Sequence, residues 1–188
     1  TGTSSLYSNT TGCYNTSFGH SAMVLNTTGC YNTGLGHHAL YTNSTGHHNT
    51  AVGMYTNNNN TDGCFNVGVG NYALQHTTTG DANVAMGYGA VLTNTTGCRN
   101  TGIGKDALTA NTTGCFNTAS GYSALRSNTT GKSNVSFGYV AMYTNTTGCR
   151  NTALGAYNMY YNSTGCRNTA SGYNAMNANT TGCYNTAI

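Results

Sequence analysis

The chain has 188 residues, one domain's worth by length, with only 5% charged residues and a formal net charge of +3. So little charge leaves no basic stripe to follow phosphates, which excludes a nucleic-acid partner, and no apolar run reaches membrane-spanning length. Leu, Ile, Val and Phe make up about an eighth of the chain, a level that signals disorder when net charge is high; here Asn, Thr, Gly and Tyr take the place of charge.

A fixed period of 17 residues runs through the whole chain. Residues 1–8 are the second half of one unit. Ten full units fill 9–178 and begin at Asn9, Asn26, Asn43, Asn60, Thr77, Asn94, Asn111, Asn128, Asn145 and Asn162; residues 179–188 are the first ten positions of another. The consensus is N-T-T-G-C-x-N-T-small-aliphatic-G-x-x-A-(L/M)-x-x, and its positions are numbered here as columns one to seventeen. Such self-similarity means that each unit stacks on its neighbour. It argues against a disordered polar tract of the same composition. Two invariant glycines per unit, with Asn and Thr throughout, oppose helix. The prediction is an all-β parallel β-solenoid over 1–188, of about eleven coils at ~4.8 Å each, or roughly 50 Å long.

Within a unit, N-T-T-G reads as a turn in which the column-four Gly supplies a positive φ and Asn bonds its own backbone. Columns six to ten read as a strand, for example 116–120. The column-eleven Gly marks a second bend or a close approach of backbones. Columns twelve to sixteen read as a second strand, for example 122–126. Column ten (Phe18, Leu35, Val52, Val69, Met86, Ile103, Phe137, Leu154) and column fifteen (Met23, Leu40, Leu74, Val91, Leu108, Leu125, Met142, Met159, Met176) are expected to carry most of the core, with Ala or Gly at column nine and Ala at fourteen. Alternation sets columns eight and ten on one face and nine and eleven on the other. One face should line the coil and the other should meet a partner, most simply another copy.

Column seven is always Asn: Asn15, Asn32, Asn49, Asn66, Asn83, Asn100, Asn117, Asn134, Asn151, Asn168 and Asn185. Stacked amides can bond one another up a rod, so this column reads as a structural ladder. The chain has no Pro, consistent with a need for nearly every backbone N–H.

Column five holds all eight cysteines, replaced in three units by His47, Asp81 and Lys132. Neighbours one rung apart fall within disulfide range. The candidate bridges are Cys13–Cys30, Cys98–Cys115 and Cys149–Cys166; a column of free thiols is the alternative. Cys64 has no Cys one rung away, and Cys183 has only Cys166. Bridges would imply an oxidising, extracellular setting. A spacing of 17 is not a zinc-site spacing. His20, His37, His38, His47, His48 and His76 scatter over several columns and read as exposed polar positions, so no metal or cofactor is expected.

Asn-x-Thr/Ser recurs at Asn9, Asn26, Asn43, Asn94, Asn111, Asn128, Asn145, Asn162 and Asn179. These are either glycan acceptors along one edge or turn residues that require Asn and Thr. Rows of Tyr, such as Tyr122, Tyr139, Tyr143 and Tyr160, suit sugar contact or packing between chains. The three carboxylates, Asp62, Asp81 and Asp106, occupy different columns, so no acid pair recurs, and no enzyme is expected.

The half-motif N-T-A-x-G, as in Asn49-Thr50-Ala51-Val52-Gly53, Asn117-Thr118-Ala119-Ser120-Gly121 and Asn151-Thr152-Ala153-Leu154-Gly155, resembles the head repeats of trimeric autotransporter adhesins. The whole unit is similar to repeats in tail-fibre-like proteins of phages and large viruses. The resemblance implies a left-handed parallel β-roll, three chains side by side, displayed outside a cell or virion. This repeat is longer than the usual head repeat, and Cys is unusual there.

The first functional prediction is therefore a structural extracellular fibre whose partner is itself, as a homotrimer, a head-to-tail filament or both. The chain begins and stops at column ten, so stacked copies would complete a coil at each junction; a longer repetitive protein cut in mid-repeat gives the same ends. The second is an adhesin or receptor-binding head that recognises glycan or matrix through Tyr or His rows. The third is ice binding by Thr ladders. None inserts in a membrane.

Overall fold

The computed structural model describes residues 2–188. Eleven parallel strands, β1 (Thr16–Phe18), β2 (Thr33–Leu35) and so on to β11 (Thr186–Ala187), form one sheet in strict chain order. Every pairing joins a residue to the one 17 positions on, such as Thr101 with Thr118 and Ile103 with Ser120. The fold is a parallel β-solenoid with one repeat per coil.

Each strand is three residues long, columns eight to ten, apart from the two-residue β11. The predicted second strand over columns twelve to sixteen is not formed; that stretch is a run of turns. The reason is backbone handedness. Column thirteen is left-handed, as at His38 (φ 55°) and Ser123 (φ 50°), and so is column fifteen, as at Leu108 (φ 54°) and Met142 (φ 47°). Two left-handed residues two positions apart bend a chain that extended residues would carry straight on. A left-handed conformation costs a side-chain-bearing residue about 1–2 kcal/mol. Burying a Leu or Met returns about 1.5–3 kcal/mol, and Leu74, Leu108, Leu125 and Met142 are wholly buried. Burial wins, so column fifteen tolerates the strain.

Backbone bonding continues around the whole coil and is not confined to the sheet. Leu125 N–H donates to Ala141 O at 2.9 Å, Ser123 N–H to Lys105 O at 2.9 Å and Phe116 N–H to Cys98 O at 3.0 Å. At the N-T-T-G corner, the N–H groups of Thr112, Thr113 and Gly114 all converge on Thr129 O, at 3.0, 3.2 and 3.3 Å. Nearly every column is thus tied to the coil above or below, which explains a chain without Pro.

The two faces are the reverse of the sequence expectation. Column nine points inward: Ala51, Ala85, Ala119, Ala153 and Ala170 are wholly buried. Column ten points out, with Phe18 62% and Ile103 41% exposed. The interior is built from the small residues of columns nine and fourteen, the Leu or Met of column fifteen, and two Asn columns. A coil this narrow has no room for Phe or Ile from the strand once column fifteen fills it.

The two column types of Gly serve different ends. Column four was expected to need a positive φ, but its glycines are not left-handed. They are needed for space: a Cβ on Gly63 would lie 2.5 Å from Asn60 Oδ1 and 2.6 Å from Gly80 O. The left-handed residue of that corner is column six, which carries Tyr, Phe or Arg in most units and His48, Ala82 and Ser133 in the others. Column eleven needs Gly twice over, with φ of 131° at Gly87 and a Cβ position 2.8 Å from the Gly104 carbonyl carbon.

The stack is imperfect at 43–93. Thr56 and Asn57 replace Ala and Leu in the interior and are wholly buried. Asn57 Oδ1 and Nδ2 meet no hydrogen-bonding group among the described residues. Thr77 replaces the column-one Asn, and its hydroxyl and Asn60 Oδ1 are likewise unpaired. The apolar core divides here, into a small group around Met23 and Leu40 and a long one from Ala73 to Ala170.

Candidate functional site

Four rows of side chains follow from this register, because identical columns are brought above one another once per coil. The first is internal. Asn117 Nδ2 donates to Asn100 Oδ1 at 3.1 Å and to Gly131 O at 2.8 Å, while its Oδ1 accepts the Asn134 N–H at 3.0 Å. The bond from each column-seven N–H to the preceding Oδ1 runs unbroken from Asn15 to Asn185. A second ladder lies in column one, where Asn128 Nδ2 donates to Asn111 Oδ1 at 2.7 Å and to Gly131 O at 3.1 Å. Both ladders meet on the column-four carbonyl.

The second ladder bears on the glycan candidates. Asn26, Asn43, Asn94, Asn111, Asn128, Asn145 and Asn162 are wholly buried, with their amides turned inward, and Asn9 and Asn179 are partly buried. A sugar on any of those buried Nδ2 atoms would displace the bond that the coil below accepts. The sequence reading missed this ladder because N-T-T-G also spells a turn; the available signal was that column one is as constant as a ladder requires, with Thr77 as its single exception.

The cysteines form the third row. All eight are free thiols. Cys13 and Cys30 Sγ stand 2.8 Å apart, Cys98 and Cys115 3.0 Å, and Cys149 and Cys166 2.8 Å, beyond a disulfide bond length. The second sulfur of each pair also accepts a backbone N–H from the coil below, as Cys115 Sγ does from Cys98 N at 3.1 Å, and Cys183 Sγ accepts that of Cys166. Where Asp81 replaces Cys, its carboxylate accepts the Cys64 N–H at 2.7 Å. Column five therefore supplies a side-chain acceptor, which accounts for Cys without any bridge. The hydrogen bond with Cys115, with burial added, holds the Cys98 thiol above its ordinary pKa; burial first, then the contact with Cys149, does the same for Cys166.

Aromatic and imidazole rings make the fourth group. In column six, Tyr14, Tyr31, His48 and Phe65 stack in succession at 4.8–5.0 Å between centroids. In columns twelve and thirteen, His20, His37 and His38 lie together with His37 and His38 rings 4.1 Å apart. Further along, Tyr122 stacks on Tyr139 at 5.3 Å and Tyr143 on Tyr160 at 5.2 Å. These two stacks, with Tyr157, Asp106 and Arg126, wall a cleft of about 360 Å³. Arg126 donates to the Tyr143 hydroxyl at 2.9 Å. Burial, then the neighbouring phenols, raise the Tyr157 and Tyr160 pKa.

Comparison with protein-family models, with curated proteins and with solved structures finds no match. The site is therefore read from its own chemistry. Asp62, Asp81 and Asp106 lie in different columns: Asp62 accepts from Thr45 Oγ1 at 2.7 Å, Asp81 caps the Cys64 N–H, and Asp106 borders the Tyr cleft. Among the described residues no helix is long and apolar enough to cross a membrane.

The outer face of the sheet carries column ten, which from Phe18 on is apolar except at Ser120 and Ser171. Phe18, Val69, Met86, Ile103, Phe137 and Leu154 are each at least 36% exposed. They form one straight row beside the Thr and Val of column eight. Sequence reasoning had placed this row in the core.

Proposed function

We propose that this chain is a non-enzymatic structural rod of an extracellular fibre, displayed on a cell or virion, that associates with copies of itself. The observation that carries the reading is the exposed, mainly apolar column-ten row on the outer face of the sheet. A face about 50 Å long and, with strands of three residues, about 10 Å wide buries on the order of 1,000 Å² when two copies meet, the lower bound for a specific interface. A row that recurs once per coil, apolar except at Ser120 and Ser171, matches best a surface of the same period, and a second copy has that period. The adhesin-head resemblance supports three chains around such a face.

Light scattering and negative-stain microscopy test this. The wild type should form trimers or filaments, and the double variant Ile103→Lys/Phe137→Lys should run as a monomer with an unchanged circular dichroism spectrum. A wild-type chain that stays monomeric at high concentration would sink the fibre reading. Head-to-tail stacking is separable, since it would lengthen particles without widening them.

A second reading, a receptor-binding head, is favoured by the Tyr cleft, whose rings and Arg126 offer the stacking and polar contacts a sugar takes. Glycan-array binding lost in Tyr139→Ala and Tyr160→Ala would support it. Ice binding has weaker support, because column-two hydroxyls donate to the next coil, as Thr112 Oγ1 does to Thr129 O at 3.1 Å. Thermal hysteresis decides that question.

A further inference from the structure

Consecutive residues of an extended chain point to opposite faces. His37 and His38 do not, because column thirteen is left-handed, with φ of 55° at His38. That twist swings the two rings to one side, with centroids 4.1 Å apart and planes 8° from parallel. The solenoid register then sets His20 one coil away, with its ring 5.3 Å from His37 and 6.2 Å from His38. One ligand nitrogen from each of the three lies within 4.8 Å of the others. The spacing 20, 37, 38 matches no linear metal motif, and only a 17-residue coil with this bend assembles it.

A second observation points to a ligand. His37 Nδ1 is shielded from solvent and has no hydrogen-bonding partner among the described residues. A buried ring nitrogen left without a partner costs free energy, and a metal bond would satisfy it. No Lys or Arg precedes Arg99 in the chain, so no cationic side chain from the neighbouring coils opposes a cation. Tyr55 stands edge-on to both rings, at 5.2 Å from His37 and 5.1 Å from His38, and backs the pair.

We infer that His20, His37 and His38 form a binding site for one divalent transition-metal ion of the imidazole-preferring kind, such as Zn²⁺, Ni²⁺ or Cu²⁺. Imidazole suits these ions. Bonds of about 2.0–2.1 Å in a tetrahedral shell bring ligand nitrogens to about 3.4 Å of one another. The nitrogens reach that by closing up to about 1.4 Å, with the stacked His37 and His38 rings turned so that their in-plane lone pairs converge, and side-chain rotation at a half-exposed site supplies both. Three protein ligands leave a fourth position for water. The ion would tie two successive coils together. The pair His47 and His48, with Nδ1 atoms 3.0 Å apart, offers only two rings, each set against Phe65.

Titration with NiCl₂ by calorimetry tests the site in the whole chain. The wild type should bind one ion per chain at this site. His20→Ala and His37→Ala should each weaken binding at least about tenfold, since even a lost outer partner costs that much; His76→Ala should leave it unchanged. His20 is exposed, so its replacement keeps the fold, which circular dichroism verifies. Absorption of the Co²⁺ form reads the ligand type. No saturable binding, affinity unchanged in His20→Ala, or a thiolate charge-transfer band that assigns the ion to the cysteines would each overturn the assignment.

Discussion

Replacing Asn117 with Ala removes one rung of the column-seven ladder in the middle of the rod. Four side-chain bonds go: those from Asn117 Nδ2 to Asn100 Oδ1 and Gly131 O, and those from the Asn134 N–H and Nδ2 to Asn117 Oδ1. Three of the four former partners keep another bond. Asn100 Oδ1 still accepts the Asn117 N–H, Gly131 O still accepts Asn128 Nδ2, and Asn134 Nδ2 still reaches Gly148 O. The Asn134 N–H is left with none of its own. A buried orphan donor costs about 1–3 kcal/mol, and the lost bonds and the void add about 2 kcal/mol more. The expected loss is about 3–5 kcal/mol. Asn185, by contrast, is exposed and makes one side-chain bond, to Asn168 Oδ1 at 3.1 Å. Its replacement by Ala should cost under about 1 kcal/mol. Urea unfolding followed by circular dichroism measures both, and the middle variant should also broaden the transition as coils on either side uncouple. Asn117→Asp adds a pH test. A buried carboxylate facing two acceptors has its folded pKa raised, so its penalty is present above the unfolded pKa of about 3.9 and fades as pH falls. Equal losses for Asn117→Ala and Asn185→Ala, or a loss below about 1 kcal/mol at Asn117, would refute the ladder argument.

Two further outcomes rest on the same register. Gly63→Ala should lose more than about 3 kcal/mol, because its Cβ meets the backbone of the next coil, whereas Gly34→Ala should stay within about 1 kcal/mol; there the nearest atom is Met23 Cε at 3.0 Å, the flexible end of a side chain. Thermal melts separate the two. Mild oxidation should join Cys13 to Cys30, Cys98 to Cys115 and Cys149 to Cys166, each closing a loop worth about 3 kcal/mol. Since the Cys13, Cys98 and Cys166 thiols are held above their ordinary pKa, thiolate is scarce at pH 7 and the reaction should speed up as pH rises. Peptide mapping that finds Cys64 in a bridge would contradict the pairing.

The architecture was legible from the period alone. A 17-residue repeat with invariant Gly and Asn columns admits little but a stacked coil, and the pairing of Thr101 with Thr118 follows from it. What a column does within the coil was less legible. Alternation correctly separated columns eight and ten from nine, yet it cannot say which side is inside. Size suggested Phe18 and Ile103; the narrow coil selects Ala and Ser instead. Left-handed backbone at Leu108 or Phe116 has no sequence signal at all, because Gly and Asn usually mark such positions. That hidden handedness is also why the His37 and His38 pair looked like two unrelated exposed residues. Column-one Asn was misread for the opposite reason: its turn chemistry was so familiar that a second, buried role did not show.

The polar insertion at Thr56 and Asn57, together with the interrupted ladder at Asn60 and Thr77, gives the rod a mechanical identity that a uniform stack would lack. Load carried along a solenoid passes through every coil in series, so the weakest junction sets the yield point. Here that junction lies between the coils around Met23 and Leu40 and the long run that begins near Ala73. A pulled or bent molecule gives way first across 43–93 while both flanks keep their shape. Under load such a chain is expected to yield at the unpaired polar groups of Asn57, Asn60 and Thr77 before the regular coils on either side.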